Sequence, residues 1–220
     1  MERSSCGAMV HGAELRLDSR AEQIMSMPVL RPRRWTRAEV DRLVDERQGL
    51  APRYELVEGE LLVTPAPSGR HQRIVLRLAL LLTPYVVEHR LGEIRLGPGE
   101  LELDPDERYE PDLFVIPAVG GALPPSDLAP EHAMLVCEVL SPGSLRHDRV
   151  TKRKAFQRHD VPDYWIVDAD AEVVEVWRRH DERPAVVDDR LTWHPESADF
   201  AFELDVRAFF ASVADGAPLG

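Results

Sequence analysis

The sequence predicts an α/β fold, a mixed β-sheet flanked by helices, and three observations carry that prediction. Helical and strand periodicities follow one another in the order helix, three strands, helix, two strands, the layout of a sheet covered by helices. The run MLVCEVL, residues 134–140, is apolar on both faces apart from Glu138, as expected of a buried central strand. At 220 residues and 44% hydrophobic content, the chain has the size and composition of one globular domain with a single sizeable core.

Residues 1–30 are polar and without periodicity, and they contain Met25 and Met27 as alternative starts. They are expected to be a disordered or misassigned leader, with residues 31–220 forming the domain. From Thr36, TRAEVDRLVDERQGL has an N-cap threonine, Glu39 three residues on, and apolar Val40, Leu43 and Val44 on one face, a short amphipathic helix. YELVEGELLV alternates around Glu58-Gly59 and predicts a hairpin, and TPAPSG after it is a loop. After Ser68, the helix HQRIVLRLALLLTPYVVEHR carries Val75, Leu78 and Leu82 on the face that also holds His71, which is therefore expected to point inward.

GEIRLGPGELEL is strand-like with a glycine interruption, and YEPDLFVIP is a short apolar strand opened by Pro111-Asp112. The Pro- and Gly-rich stretch from Ala118 to Pro130 leads into MLVCEVL, which SPGS then breaks. In the next predicted helix, LRHDRVTKRKAFQRHD, the residues Asp148, Lys152 and Phe156 align at four-residue spacing, with Lys154 and Arg158 on another face. YWIVD and EVVEVWRR are two strands around Ala169-Asp170-Ala171, followed by LTW, AFEL and a final helix DVRAFFASV. No internal repeat is visible.

Composition excludes several classes of function. No window approaches the apolar length of a membrane span, and the first residues have no apolar region like that of a secretory signal, so a cytoplasmic protein without membrane contact is expected. Cys6 and Cys137 support neither a disulfide framework nor a zinc site. No GxSxG elbow and no Gly-rich phosphate loop occurs. The net charge of −12 argues against tight non-specific DNA binding, because phosphate contacts are normally supplied by Lys and Arg. Of the 27 basic residues only Lys152 and Lys154 are lysine, and arginine cannot copy a compact ammonium whose pKa shifts on burial.

Glu138 is the sharpest anomaly, since a carboxylate inside an apolar strand needs a metal, a cation or hydrogen bonds to compensate it. If the strands bearing Asp112 and Glu138 pair antiparallel, the start of the first lies beside the end of the second and the carboxylates meet. Such a pair, with a backbone carbonyl and waters, suits Mg²⁺ or Mn²⁺. Simpler alternatives stand beside each assignment. Asp112 is also a fitting turn residue after Pro111, Glu138 a strand-end group reaching solvent, and Lys152 a snorkelling side chain or a partner for Asp148. His71 fits equally as a satisfied core histidine, and Glu60 as a solvated residue beside a hairpin turn.

RYELVEGELLV, SGRHQRIVLRL, EPDLFVI, LVCEVLSPGS and DRVTKRKAFQRHDVPDYWIVD together resemble the Uma-two family of putative restriction endonucleases, within the Pro-Asp…Asp/Glu-x-Lys nuclease superfamily. The similarity runs from about Arg53 to Arg178. It implies a restriction-endonuclease-like core, with Asp112 and Glu138 on a metal ion and Lys152 in catalysis. The superfamily motif places its lysine two residues after the glutamate, where Leu140 stands here. In the Uma-two pattern it comes from the following helix, at the position of Lys152. Glu55, Glu60 and His71 match family positions near the same site. The implied activity is a Mg²⁺- or Mn²⁺-dependent endonuclease acting on nucleic acid, DNA rather than RNA, by metal-activated water. A nuclease cutting both strands of a duplex is expected to form a homodimer. The rival expectation, favoured by the acidic charge, is a non-catalytic protein-interaction module that retains the fold.

Overall fold

The computed structural model describes residues 33–126 and 129–214. The leader expected over residues 1–30 lies outside them. Helix α1 (Arg37–Glu46) opens at Thr36, whose backbone N–H and hydroxyl both donate to the Glu39 carboxylate at 2.9 and 3.0 Å. Strands β1 (Arg53–Val57) and β2 (Glu60–Thr64) form the expected hairpin, with Glu58 and Gly59 both at positive φ, the conformation that favours glycine and matches strand twist. Helix α2 (Gly69–Glu88) starts at Ser68, whose hydroxyl accepts the His71 N–H at 3.2 Å.

The main sheet has six strands in the order β3-β4-β5-β6-β7-β8. These are β3 (Gly92–Leu96), β4 (Leu113–Pro117), β5 (Leu135–Val139), β6 (Asp163–Asp168), β7 (Val173–Arg178) and β8 (Ala185–Val187). All neighbours are antiparallel except β5 and β6, which run parallel. The connection between those two is a π-helical turn (His147–Lys152) leading directly into α3 (Arg153–Arg158), the crossover that parallel strands require. A second hairpin, β9 (Arg190–Trp193) with β10 (Phe202–Asp205), precedes α4 (Val206–Val213).

Strand periodicity divides the core into two layers. Leu113, Val115, Leu135, Cys137, Val139, Trp165 and Val167 face α2, α4 and the β9–β10 hairpin. Phe114, Ile116, Val136, Tyr164 and Ile166 face α3 and the β1–β2 hairpin, where Phe156 is fully buried between Tyr109 and Tyr164, its ring centroid 5.2 and 4.9 Å from theirs. Glu138 lies two residues beyond Val136 and so belongs to this second face.

Three local expectations change. Of GEIRLGPGELEL only Gly92–Leu96 joins the sheet, and Leu101 makes an isolated bridge to Tyr109. In the predicted helix from Leu145, the segment His147–Lys152 is a π-helical turn rather than regular α-helix. β8 was not visible in the sequence, being a three-residue edge strand that exposes Ala185 and Val186.

Glu107 joins the hairpin to the far end of α3. It accepts the Glu58 N–H at 2.9 Å, bonds the Tyr109 hydroxyl, and meets Arg158 and His159 at 2.8 Å each. Burial opposes its ionisation, but bonds from Tyr109, His159 and the Glu58 N–H, with the charge of Arg158, outweigh it and hold the carboxyl below the ordinary glutamate range. A depressed folded pKa contributes stability that is present above the unfolded value of about 4.3 and is lost as pH falls below it. Glu107→Gln is therefore expected to lower unfolding free energy by roughly 1–3 kcal/mol at pH 7, with a smaller difference from the wild type at pH 3, measured by urea denaturation. Phe156→Ala is expected to cost about 3–5 kcal/mol at both pH values, because its loss is one of packing.

Candidate active site

Segments distant in sequence converge where β4 begins and β5 ends. Leu113 lies opposite Cys137 in the antiparallel ladder, so Asp112, one residue before β4, stands beside Glu138 on the same face. The two are locked reciprocally. The Asp112 N–H donates to Glu138 Oε2 at 3.3 Å, and the Val139 N–H donates to Asp112 Oδ2 at 2.8 Å. The antiparallel pairing expected from the sequence thus produces the expected meeting of carboxylates.

Lys152 reaches the same point from the π-helical turn. Its Nζ is 2.7 Å from Glu55 Oε2, 2.8 Å from Glu138 Oε1 and 3.4 Å from Asp148 Oδ1, and all four side chains are at most 4% exposed. The bond to Glu138 has hydrogen-bond geometry. Glu55 Oε2 and Asp148 Oδ1 have no hydrogen-bond partner and lie against the ammonium as bare charges. Glu55 is held from its other oxygen, which accepts the Glu110 N–H at 2.9 Å. Lys154, two residues beyond Lys152, is exposed.

Asp112 has its own cationic support. Arg53 Nη1 is 2.8 Å from Asp112 Oδ1 and also donates to the Glu110 carbonyl at 2.9 Å. His71, in the first turn of α2, points inward and places Nε2 3.0 Å from Asp112 Oδ2. A cavity of about 510 Å³ opens over Arg53, His71, Asp112, Glu138, Asp148 and Lys152, and the Ser141–Ser144 loop forms another wall.

The electrostatics follow from burial and the unequal number of charges. Burial alone would raise the Asp112 pKa, but the His71 bond, the Arg53 guanidinium and the Val139 N–H outweigh it and hold the carboxyl well below the usual range. Glu138 is pushed well above its ordinary value, first by burial and further by Asp112, Asp148 and Glu55, with Lys152 opposing. For Lys152, burial would depress the pKa, yet Glu138, Glu55 and Asp148 overcome it and keep the side chain an ammonium. Three carboxylates share one cation here.

The structure therefore brings Asp112, Glu138, Lys152 and His71 together, with Glu55 behind the lysine. Glu60 is not among them. It shares the hairpin face of Glu55, but it pairs with Val57 at the turn, where it is exposed and does not line the cavity. Arg53 was missed. The period of two places it on the same face as Glu55, so a strand-phase reading of RYELV would have found it. Asp148 was seen only as a companion of Lys152; the structure puts it in the cavity wall.

A family model, Uma2, described as putative restriction endonuclease, matches residues 38–207 of the chain. Among solved structures, the chain is similar to a putative nuclease belonging to DUF820 from Anabaena variabilis ATCC 29413. The TM-score is 0.64 at 21% sequence identity, over 80% of this chain and 98% of that one, a likeness of fold. No curated protein matches the chain.

Removing the ammonium leaves Glu55, Glu138 and Asp148 facing one another in the interior. Lys152→Ala is expected to lose about 3–5 kcal/mol at pH 7. Lys152 is the charge that opposes the upward shift of Glu138, so without it Glu138 is driven further toward its neutral form, and the stability linked to that raised pKa is present at low pH and lost as pH rises. The deficit should therefore be smaller at pH 5 than at pH 7 in urea titrations followed by tryptophan fluorescence; an equal deficit at both would contradict the shared-charge account.

Proposed function

The chain belongs to the Uma2 family, and from that premise we propose that it is a metal-dependent endonuclease, hydrolysing phosphodiester bonds of nucleic acid at the Asp112, Glu138 and Lys152 pocket. The observation that carries this reading is the convergence of two buried carboxylates and a retained ammonium on one open cavity, from segments that share no local structure.

The residues present fit a divalent cation. Four acidic side chains, Glu55, Asp112, Glu138 and Asp148, face only two fixed cations, Lys152 and Arg53, so acidic groups outnumber cations in the interior and an added cation would let Glu138 ionise. Asp112 and Glu138 border the cavity and offer hard oxygen donors: Asp112 Oδ1 and both Glu138 oxygens each have one present partner and a second lone pair, whereas Asp112 Oδ2 already meets the Val139 N–H and His71. Among the described residues no group of three or more His, Cys, Asp or Glu side chains is arranged to hold a metal. A site with two carboxylates and otherwise water suits Mg²⁺ or Mn²⁺, which keep much of their hydration. Bound there, the ion would supply a water of lowered pKa and screen charge developing on the phosphate.

The protein's own groups divide the remaining work. Lys152 stays protonated, so its role is to stabilise negative charge on the phosphate and to orient the attacking water, not to accept a proton. Arg53 and His71 hold Asp112 ionised and in place. The reading extends to DNA rather than RNA as substrate, to a homodimer, and to action in the cytoplasm. Among the described residues no helix is long and apolar enough to cross a membrane. The net charge of −12 favours a second reading, a non-catalytic interaction module with the same fold.

The two readings separate in one experiment. Wild type, Glu138→Gln and Lys154→Ala are incubated with Mg²⁺ or Mn²⁺ and single-stranded, duplex and structured nucleic acids, and their melting temperatures are recorded with and without metal. Wild type and Lys154→Ala should cleave and be stabilised by the metal, whereas Glu138→Gln should lose roughly 10²-fold or more in turnover and most of the metal-dependent stabilisation. No cleavage, with identical metal responses in all three proteins, would leave the interaction module as the better reading.

A further inference from the structure

A second concavity opens beside the catalytic one. It has a volume of about 400 Å³, and Arg53, Pro65, Ala66, Pro67, His71 and Asp112 line both. Beyond that seam the wall is apolar apart from Gln72, formed chiefly by Leu50, Val75, Leu76, Leu96 and Pro98. Leu50 is 70% exposed, Leu76 56% and Leu96 41%, so this apolar surface faces solvent although it borders the cavity that holds Asp112, Glu138, Asp148 and Lys152. Its lining contains no glutamate and one aspartate, Asp112, which Arg53 pairs at 2.8 Å.

We propose that this groove receives an unpaired base next to the scissile phosphate, so that the preferred substrate is single-stranded or locally unpaired nucleic acid; the proposal rests on the nuclease reading above. Bases in an intact duplex are stacked and paired, and duplex affinity comes mainly from many Lys and Arg contacts to phosphate. A chain of net charge −12 is poorly equipped for that mode. An unpaired base instead presents a flat apolar surface, which proteins bind between apolar or aromatic side chains while the attached phosphate enters the reaction site. The geometry here has both parts in contact. The prolines and leucines take the base, Arg53, His71 and Asp112 mark the passage of the sugar and phosphate, and Glu138 and Lys152 lie on the far side. Continuity with the catalytic cavity also favours a strand of the substrate over a second protein as the occupant.

The test uses the full chain with Mn²⁺ and one labelled oligonucleotide sequence presented as a single strand, as a duplex, and as a duplex with an unpaired loop. Leu76→Glu and Leu96→Glu alter exposed side chains, and an unchanged melting temperature confirms that each folds. The single strand and the loop should be cut at least about tenfold faster than the duplex, and each variant should raise KM for the single strand about tenfold with kcat within about twofold. Equal cleavage of duplex and single strand, with both variants indistinguishable from wild type, would overturn the groove assignment and leave the nuclease reading intact. A variant that changes oligomeric state in light scattering would overturn it in favour of a protein interface. If wild type neither cuts any of the three nor binds them in fluorescence anisotropy, the nuclease reading fails and the groove assignment with it.

Discussion

An ammonium enclosed by three carboxylates sets the terms for the rest of the structure. Burying one ion pair in a protein interior already carries a desolvation cost comparable to the attraction gained. The Lys152 cluster adds two further acidic groups, and no single element could hold it. Glu55 comes from the β1–β2 hairpin, Glu138 from the central strand, Asp148 and Lys152 from the crossover, and each is fixed by bonds made elsewhere. The Glu110 N–H restrains Glu55, the Asp112 N–H restrains Glu138, and the Tyr164 hydroxyl donates to the Asp148 carbonyl at 3.1 Å. The lower core layer, with Phe156 between two tyrosines, keeps these elements at the required separation.

Glu138 joins the two halves of the site. One oxygen meets Lys152 and the other meets the backbone of Asp112, while Asp112 is balanced by Arg53 and His71. The halves therefore differ in character. Asp112 is surrounded by donors and stays ionised, whereas Glu138 lies among like charges and is driven toward its neutral form. An added cation would act chiefly on the second half, where three acidic groups share one ammonium and Glu138 would ionise in its presence.

Much of this was legible in the sequence because it obeys the simplest periodicities. The central strand showed itself as an unbroken apolar run, and Glu138 stood out as the one group in it that needs a partner. Lys152 was found by its four-residue spacing from Asp148 and Phe156, and the structure buries all three. The same spacing concealed the π-helical turn, since burial alone does not distinguish a local widening of the backbone from a regular helix. Arg53 was hidden by its ordinary appearance at the start of a strand, although its phase relative to Glu55 was available. Glu60 shows the opposite failure: the right face of the right hairpin, one step too close to the turn. Edge strand β8 had little signal to give, being three residues long with only Val187 partly buried against the core.

The scarcity of lysine gives the protein a chemical asymmetry. Its two lysine side chains are separated by a single residue, yet Lys154 is exposed and Lys152 is buried in the wall of the cavity against three carboxylates. An amine-directed reagent should acylate the first at once and the second slowly, because it meets Lys152 only through the cavity and only after the ammonium gives up a proton that its acidic neighbours hold. The rate of labelling at Lys152 therefore reports the integrity of the charge cluster, a native clock that requires no substrate.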